Sequence, residues 1–218
     1  AREGMRFTQF LSANPVCSPS RAALLTGRYP TRVGVPRVLF PYDKEGMPDG
    51  EMTIAQMLRP EGYKTMCVGK WHLGHNEKFL PTNRGFDEYY GIPYSNDMTP
   101  RVLLHSVPGK VETVEEQATL ETLTPRYTEQ AVRFIENNKD APFFLYMPHT
   151  YPHIPLAASA KFRGKSSQGI YGDVVEELDS SVGEVLAALK KHKLESDTMV
   201  VSVSYTHLRA HETKANLV

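Results

Sequence analysis

Three times along this chain, a stretch with helical spacing of apolar residues is followed by a short apolar run, and this alternation strongly constrains the fold. The helical patterns cover residues 53–60, 126–138 and 172–192, and the apolar runs that follow them cover 63–69, 143–147 and 198–203. Helices that alternate with short buried strands are typical of an α/β fold with a largely parallel sheet. The segment 92–124 has weak periodicity and several glutamates, so we expect it to be a surface excursion.

The numbers of basic and acidic residues limit the kinds of ligand that the chain can bind. Lysines and arginines number 25 and acidic residues number 25, which excludes a broadly basic nucleic-acid-binding protein. Residues 1–42 nevertheless contain six arginines and one acid, Glu3. Guanidinium groups match the geometry of sulfate, phosphate and carboxylate, so this segment either contributes to an oxyanion site or carries scattered solvated arginines. No apolar run reaches the roughly 18 residues of a membrane span, so we expect no transmembrane segment.

A cysteine precedes a predicted helix within this arginine-rich segment. Ser18 is a plausible N-cap, Pro19 suits the first helical position and Gly27 suits the end of the helix. Cys17 then lies where free backbone N–H groups favour negative charge, and Arg21 lies one turn into the helix. The pattern fits either an anion site or an ordinary capped helix that follows a buried cysteine.

Four stretches of the chain together resemble the type I sulfatases, in which a cysteine is converted after translation to formylglycine. The stretches are Cys17-Ser-Pro-Ser-Arg21, Leu25-Thr-Gly-Arg28, Gly69-Lys-Trp-His-Leu-Gly74 and Gly91-Ile-Pro-Tyr-Ser-Asn-Asp97. The last is closest to the branch of arylsulfatase A and N-acetylgalactosamine-6-sulfatase. The resemblance implies an alkaline phosphatase-like three-layer sandwich with a mostly parallel sheet, truncated at both ends. We expect residues 1–201 to be part of the N-terminal catalytic domain and residues 202–218 to be a poorly ordered tail foreign to the family.

The resemblance assigns roles to residues of the first and third stretches. Cys17 would become the formylglycine nucleophile, of which one hydroxyl attacks sulfur in the hydrated form, and Arg21 would stabilise it. Lys70 would hold a sulfate oxygen, and His72 would hold or relay a proton with the formylglycine. Without the resemblance, Lys70 reads as a surface lysine and His72 as a histidine in a capped turn.

Three further residues are assigned to substrate. Residues 148–156 follow a predicted strand, at the sheet edge where sites gather. His153 fits the family's His-x-Pro context and would bind sulfate or protonate the leaving oxygen. His149 would then support the substrate site or serve the structure, although the two histidines could have opposite roles. Ser95 would donate a hydrogen bond to sulfate, and the alternative is an exposed serine in a turn.

A calcium ion is also implied, with the formylglycine at Cys17 as one ligand and the other ligands outside the chain. In the family an Asp-Asp pair lies upstream, and an Asp-Asn pair follows the strand that matches 198–203. Residues 202–218 contain no such pair. Because cationic groups without balancing carboxylates repel one another, we expect this chain to bind calcium poorly and to turn over slowly or not at all.

The implied activity is hydrolysis of sulfate monoesters on a sulfated small molecule or glycan, after a formylglycine-generating or anaerobic maturase enzyme has modified Cys17. The implied compartment is periplasmic or extracellular for a bacterial protein and lysosomal for an animal one, with a signal peptide that is not in the chain. The alternatives are an alkaline phosphatase-like phosphohydrolase, which Cys17 argues against, and an inactive anion-binding fragment. The other cysteine, Cys67, is expected to be a buried hydrophobic residue without a disulfide.

Overall fold

A five-stranded sheet forms the centre of the computed structural model, which describes residues 4–203. The strands are β1 (Lys64–Val68), β2 (Glu88–Gly91), β3 (Leu103–Val107), β4 (Lys110–Glu115) and β5 (Phe143–Tyr146). Their order across the sheet is β4-β3-β2-β1-β5. The α/β class is confirmed. The sheet is mixed, because β1 is parallel to β2 and β5 whereas β3 is antiparallel to β2 and β4.

The helices begin and end close to the predicted positions. In the described part of the chain the α-helices are α1 (Cys17–Thr26), α2 (Pro30–Val33), α3 (Ile54–Leu58), α4 (Leu123–Asn137) and α5 (Gly169–Lys191). Single 3-10 turns lie at Arg59–Glu61, Glu77–Phe79, Pro81–Asn83 and Leu120–Thr122.

Strand β1 is buried on both faces, which makes the sheet the middle of three layers. Cys67 faces the cluster that contains Leu25 of α1 and Ala55 of α3. Met66 faces the opposite cluster, which contains Tyr127 of α4 and, further along, residues of α5. Because successive strand residues point to opposite faces, an apolar run such as β1 is what a central strand requires. Cys67 is a buried free cysteine, as expected.

The prediction that 92–124 is only a surface excursion is wrong. β3 and β4 lie in this segment and extend the sheet as an antiparallel hairpin, with Val107 opposite Lys110. The two-residue turn places Gly109 at φ +79°, a backbone conformation that glycine adopts without strain. The strand β4 escaped the periodicity analysis because it is exposed on both faces and therefore has no apolar alternation.

The predicted strand at 198–203 is also not formed. These residues are in neither a strand nor a helix, and Met199 and Val201 are 88% and 68% exposed. β5 pairs with β1 along one edge, and no described residue pairs with its other edge. A run of β-branched residues becomes a strand only where a neighbouring strand satisfies its backbone, and residues 4–203 provide none for it. Most of the predicted tail, from residue 204 onward, lies outside the described residues.

Two helix starts differ in how they are capped. The predicted N-cap of α1, Ser18, is instead its second residue, and the N-cap is Val16, which has no capping side chain. The Ser18 hydroxyl turns inward and accepts a hydrogen bond from the backbone N–H of Leu39 at 3.1 Å. At α3, Thr53 and Gln56 form a reciprocal capping box, which fixes this short helix against the sheet.

Candidate active site

The residues that follow β1 remain hydrogen-bonded, through their backbone, to the residues at the ends of β2 and β5. The backbone hydrogen bonds that do this run from the N–H of Gly69 to Tyr90 O, of Lys70 to Pro148 O, of Trp71 to Ile92 O and of His72 to Pro93 O, at 2.9–3.0 Å. A Cβ atom at Gly91 would lie 1.8 Å from the carbonyl oxygen of Gly69, so only glycine permits this approach. Three loops therefore meet at the carboxyl ends of the parallel strands, the edge where α/β sites form.

Lys70 is the centre of this meeting point. It is 2% exposed, and its Nζ donates to the Ser95 hydroxyl at 2.9 Å. Burial, followed by the charge of Arg21, lowers the pKa of Lys70 to about 8, while Cys17 and Asp97 oppose this shift. Lys70 is thus a buried ammonium at neutral pH, and the structure records no salt bridge for it among the described residues.

Arg21 ties the cysteine helix to the loop after β1. Its guanidinium donates to the backbone carbonyl of Lys70, so the two cationic side chains lie on adjacent elements. Arg28 and Arg37, from the same arginine-rich segment, pair instead with Glu51 and Asp43. Of the six arginines in this segment, Arg21 therefore contributes to the meeting point of the loops, whereas Arg28 and Arg37 form ion pairs elsewhere.

His72 is fully buried beside Lys70 and has a backbone φ of +62°, which is unusual for a residue with a side chain. Its Nε2 lies 2.8 Å from the carbonyl oxygen of Leu39. Burial, with the charges of Lys70 and Arg21, lowers the pKa of His72 to about 2, so the imidazole is neutral. Its Nδ1 is buried without a hydrogen-bond partner among the described residues.

His153 lies at the rim of the site and is held there by a residue that the sequence analysis did not single out. Asn96 is fully buried, and its Nδ2 donates to the carbonyl oxygens of His153 and Pro155 at 3.1 and 2.9 Å. The His153 imidazole is half-exposed, 3.9 Å from a carboxylate oxygen of Asp97. The signal for Asn96 was its place directly after Ser95 in the last of the four stretches.

The structure does not bring His149 to this group. Its Nε2 lies 3.4 Å from the hydroxyl of Ser181 on α5, and burial lowers its pKa to about 4. Arg21, Lys70 and Ser95 are linked by hydrogen bonds, and Cys17 is the first residue of the helix that carries Arg21. His72 follows Lys70 in the loop after β1, and His153 lies at the rim.

The donor set does not fit a calcium ion by itself. Across residues 4–203 no group of three or more His, Cys, Asp or Glu side chains is placed to hold a metal. Calcium prefers six to eight oxygen ligands, many of them carboxylates. The described site offers Lys70 and Arg21 instead, whose charges repel a cation.

A sequence model of the family described as Sulfatase matches residues 1–206. The chain belongs to the sulfatase family. Among curated relatives it is 38% identical to N-acetylgalactosamine-6-sulfatase of Homo sapiens, over 94% of this chain and 43% of the relative. It is 38% identical to arylsulfatase G of Mus musculus, over 85% of this chain and 41% of the relative. This sulfatase chain thus spans less than half the length of these relatives.

Solved structures agree with this sulfatase assignment. PsFucS1 sulfatase from Pseudoalteromonas sp. superposes with a TM-score of 0.76 at 27% identity, over 84% of this chain and 44% of that one. Ps i-CgsB in complex with k-i-k-neocarrahexaose superposes with a TM-score of 0.69 at 32% identity, over 84% and 46%. The phosphonate monoester hydrolase SpPMH from Silicibacter pomeroyi, at 17% identity and a TM-score of 0.56, shares the fold alone. No helix within residues 4–203 is long and apolar enough to cross a membrane.

Proposed function

We propose that this chain provides the cationic part of an active site that hydrolyses sulfate monoesters, with Cys17 as the precursor of the nucleophile. The observation that carries the proposal is the pair of hydrogen bonds that joins Arg21 to the backbone of Lys70 and the Lys70 ammonium to Ser95. Cys17 is the first residue of the helix that carries Arg21 and is among the groups that raise the pKa of Lys70. A buried ammonium without a carboxylate partner is costly, and an anionic substrate beside Cys17 would restore charge balance.

Each side chain has a chemical task in this proposal. Lys70 and Ser95 bind sulfate oxygens, because one is a buried cation and the other a hydroxyl held against it. Arg21 positions the start of α1 against the loop after β1. His153, half-exposed at the rim, protonates the departing alcohol oxygen. Conversion of the Cys17 thiol to a hydrated aldehyde would supply the attacking oxygen.

Calcium in the whole protein would need ligands other than the described residues, as the sequence resemblance implies. The described residues bind, orient and protonate the substrate. A bound metal ion would neutralise negative charge in addition to Lys70 and Arg21.

The substrate class we propose is a sulfated small molecule or glycan. Relatives named N-acetylgalactosamine-6-sulfatase and steryl-sulfatase support sulfate esters of both kinds. The proposal also requires a maturase as a partner that reaches Cys17, which is partly exposed at the first position of α1. By the same resemblance, we place the whole protein in the periplasm, outside the cell or in the lysosome.

The test is turnover of an aryl sulfate and the matching aryl phosphate by the whole protein that contains this chain, co-expressed with a maturase. We expect the sulfate to be the better substrate, and Lys70→Met to lower the rate by about a hundredfold or more, since it removes a charge that contacts the reacting group. Lys64→Met, an exposed lysine at the start of β1, is the matched control and should keep the rate.

Two results would count against the proposal. Faster hydrolysis of the phosphate would favour the phosphohydrolase alternative. Binding of sulfate without turnover, after Cys17 has been shown to be converted, would favour the inactive anion-binding alternative. Sulfate binding is measured at constant ionic strength, as a rise in melting temperature that Lys70→Met abolishes and Lys64→Met retains.

A further inference from the structure

One residue, Leu39, connects the cysteine helix to His72. The backbone N–H of Leu39 donates to the Ser18 hydroxyl at 3.1 Å, and the carbonyl oxygen of Leu39 lies 2.8 Å from His72 Nε2. Ser18 and His72 are both fully buried. The residue next to Cys17 is therefore linked to the site imidazole through the backbone of a single residue.

An ion pair between Arg37 and Asp43 joins the two ends of the segment that contains Leu39. The Asp43 carboxylate accepts the backbone N–H of Phe40 at 2.7 Å and both Nη groups of Arg37 at 2.7 and 2.8 Å. Asp43 is 8% exposed, and its contacts span both ends of residues 37–43. We call Ser18, Leu39, Asp43 and Arg37 the Leu39 clamp.

The clamp has a chemical consequence for His72. A carbonyl oxygen only accepts hydrogen bonds, so Nε2 of His72 must carry the hydrogen in this contact. A neutral imidazole has one such hydrogen, which leaves the buried Nδ1 with an open lone pair. The positive charges of Lys70 and Arg21 next to it oppose a second proton.

We propose that Ser18 and Asp43 are positioning residues, which hold the backbone of Leu39 in place. The Leu39 carbonyl then keeps the hydrogen of His72 on Nε2, so that Nδ1 remains a hydrogen-bond acceptor. The relevance to catalysis rests on the proposed function, because His72 matters there only if Cys17 is the nucleophile precursor. The geometry itself does not depend on conversion of Cys17. An imidazole with a fixed tautomer accepts a hydrogen bond from a hydroxyl group without first having to redistribute its own proton.

The test is the tautomer of His72, read from the ¹⁵N shifts of its imidazole by NMR in the unconverted 218-residue chain. The resonance is assigned by its loss in His72→Gln. We expect Nε2 protonated and Nδ1 unprotonated in the unsubstituted chain. Ser18→Ala should produce a mixture of the two tautomers, and it should speed amide exchange of Leu39 about tenfold relative to Cys67 in β1, the equivalent of one lost hydrogen bond.

Matched variants separate positioning from general destabilisation. Ser18→Thr keeps the hydroxyl and should restore the single tautomer. Ser106→Ala removes another buried hydroxyl, which contacts Thr82, and should leave the His72 signals unchanged. Asp43→Asn weakens the Arg37 pair without touching α1, and it should also produce mixed tautomers, which keeps the test decisive if Ser18→Ala does not fold.

Two outcomes would overturn the inference: an Nδ1-protonated His72 in the unsubstituted chain, or a folded Ser18→Ala or Asp43→Asn variant with the unsubstituted tautomer pattern. Since no substrate or maturase enters this experiment, its failure is separate from failure of the proposed sulfatase activity. In converted protein, Ser18→Ala should lower kcat more than it raises KM, because substrate binding by Lys70 and Ser95 is retained.

Discussion

At the scale of single residues, His149 and His72 illustrate two uses of a buried imidazole. His72 lies beside the cationic residues of the site, whereas His149 lies against Ser181 of α5. Both have pKa values lowered by burial. For His149, which is removed from the reacting groups, the consequence is a pH-dependent stability.

We predict that His149 makes the protein less stable as the pH falls from 6.5 to about 4. In this window the unfolded chain binds a proton at His149 and the folded chain does not, so protonation favours unfolding. A shift from 6.5 to about 4 corresponds to at most roughly 3 kcal/mol. His149→Gln should flatten this part of the pH dependence of the free energy of unfolding, measured by denaturant titration.

The control for this prediction is Ser181→Ala, which removes the hydroxyl 3.4 Å from His149 Nε2 and keeps the imidazole. Because burial is the cause of the lowered pKa of His149, this variant should keep most of the slope between pH 6.5 and 4. An unchanged slope in His149→Gln would show that this imidazole is protonated equally in the folded and unfolded chain, which its burial does not allow.

Cys17, Lys70 and His72 could be singled out from the sequence because they stand in long motifs, and their roles stay predictions. The sequence predicted the wrong role for Ser18, since the local pattern of a cap is the same whether the hydroxyl faces its own helix or the distant loop that carries Leu39. The Leu39 carbonyl was missed, because a backbone acceptor leaves no trace in the sequence. Asn96 was also passed over, since its only signal was its place directly after Ser95.

At the scale of elements, α3 depends on its first residue. Thr53 accepts a hydrogen bond from Gln56 N at 3.1 Å and donates to Arg84 O at 2.7 Å while fully buried. Thr53→Ala should therefore destabilise the protein by about 1–3 kcal/mol, from the lost cap and an unpaired buried carbonyl. Thr53→Ser should retain most of the stability. Denaturant midpoints of the two variants test this, and equal midpoints would contradict it.

Two glycines should respond in opposite directions to alanine. At Gly91 the added Cβ would collide with the Gly69 backbone, whereas at Gly183 in α5 nothing lies within 4 Å. Gly91→Ala should cost at least about 3 kcal/mol or prevent folding. Gly183→Ala should stabilise the helix by about 0.5–1 kcal/mol. Thermal unfolding distinguishes them, and a Gly91→Ala variant as stable as Gly183→Ala would refute the close approach of the two strands.

Helices α4 and α5 and strands β1 and β5 could be predicted because one face, or both, is apolar with a clear period. The hairpin of β3 and β4 could not, since β4 is exposed on both faces, although the dipeptide before it, Pro108-Gly109, is a turn signal. The apolar run at 198–203 has strand composition, but no residue between 4 and 203 pairs with it. Residue composition favours a strand, but the strand forms only where a neighbouring strand pairs with it.

At the scale of the whole molecule, the exposed run at 198–203 should make the chain self-associate. Val200, Val201 and Val203 are between 43% and 68% exposed, and unpaired β-branched segments bind one another through their backbones. Val201→Lys should lower the associated fraction at a given concentration with little cost in stability, measured by sedimentation velocity. Met57→Lys, an equally exposed apolar residue on α3, is the control and should not change it.

The positive charge of the arginine-rich segment lies partly against a second cationic residue. The arginine-rich segment 1–42 places Arg21 against Lys70, and the described residues bring no metal-binding carboxylate cluster to them. The chain spans less than half the length of these curated relatives.

The most direct test of the central claim is the mass of the tryptic peptide 7–21, which contains Cys17, from protein co-expressed with a maturase. The peptide 65–70, which contains the buried Cys67, is an internal control in the same digest. We expect an aldehyde in place of the thiol at position 17 and an intact thiol at position 67. An unmodified thiol at position 17, with a known sulfatase converted in the same cells, would contradict it.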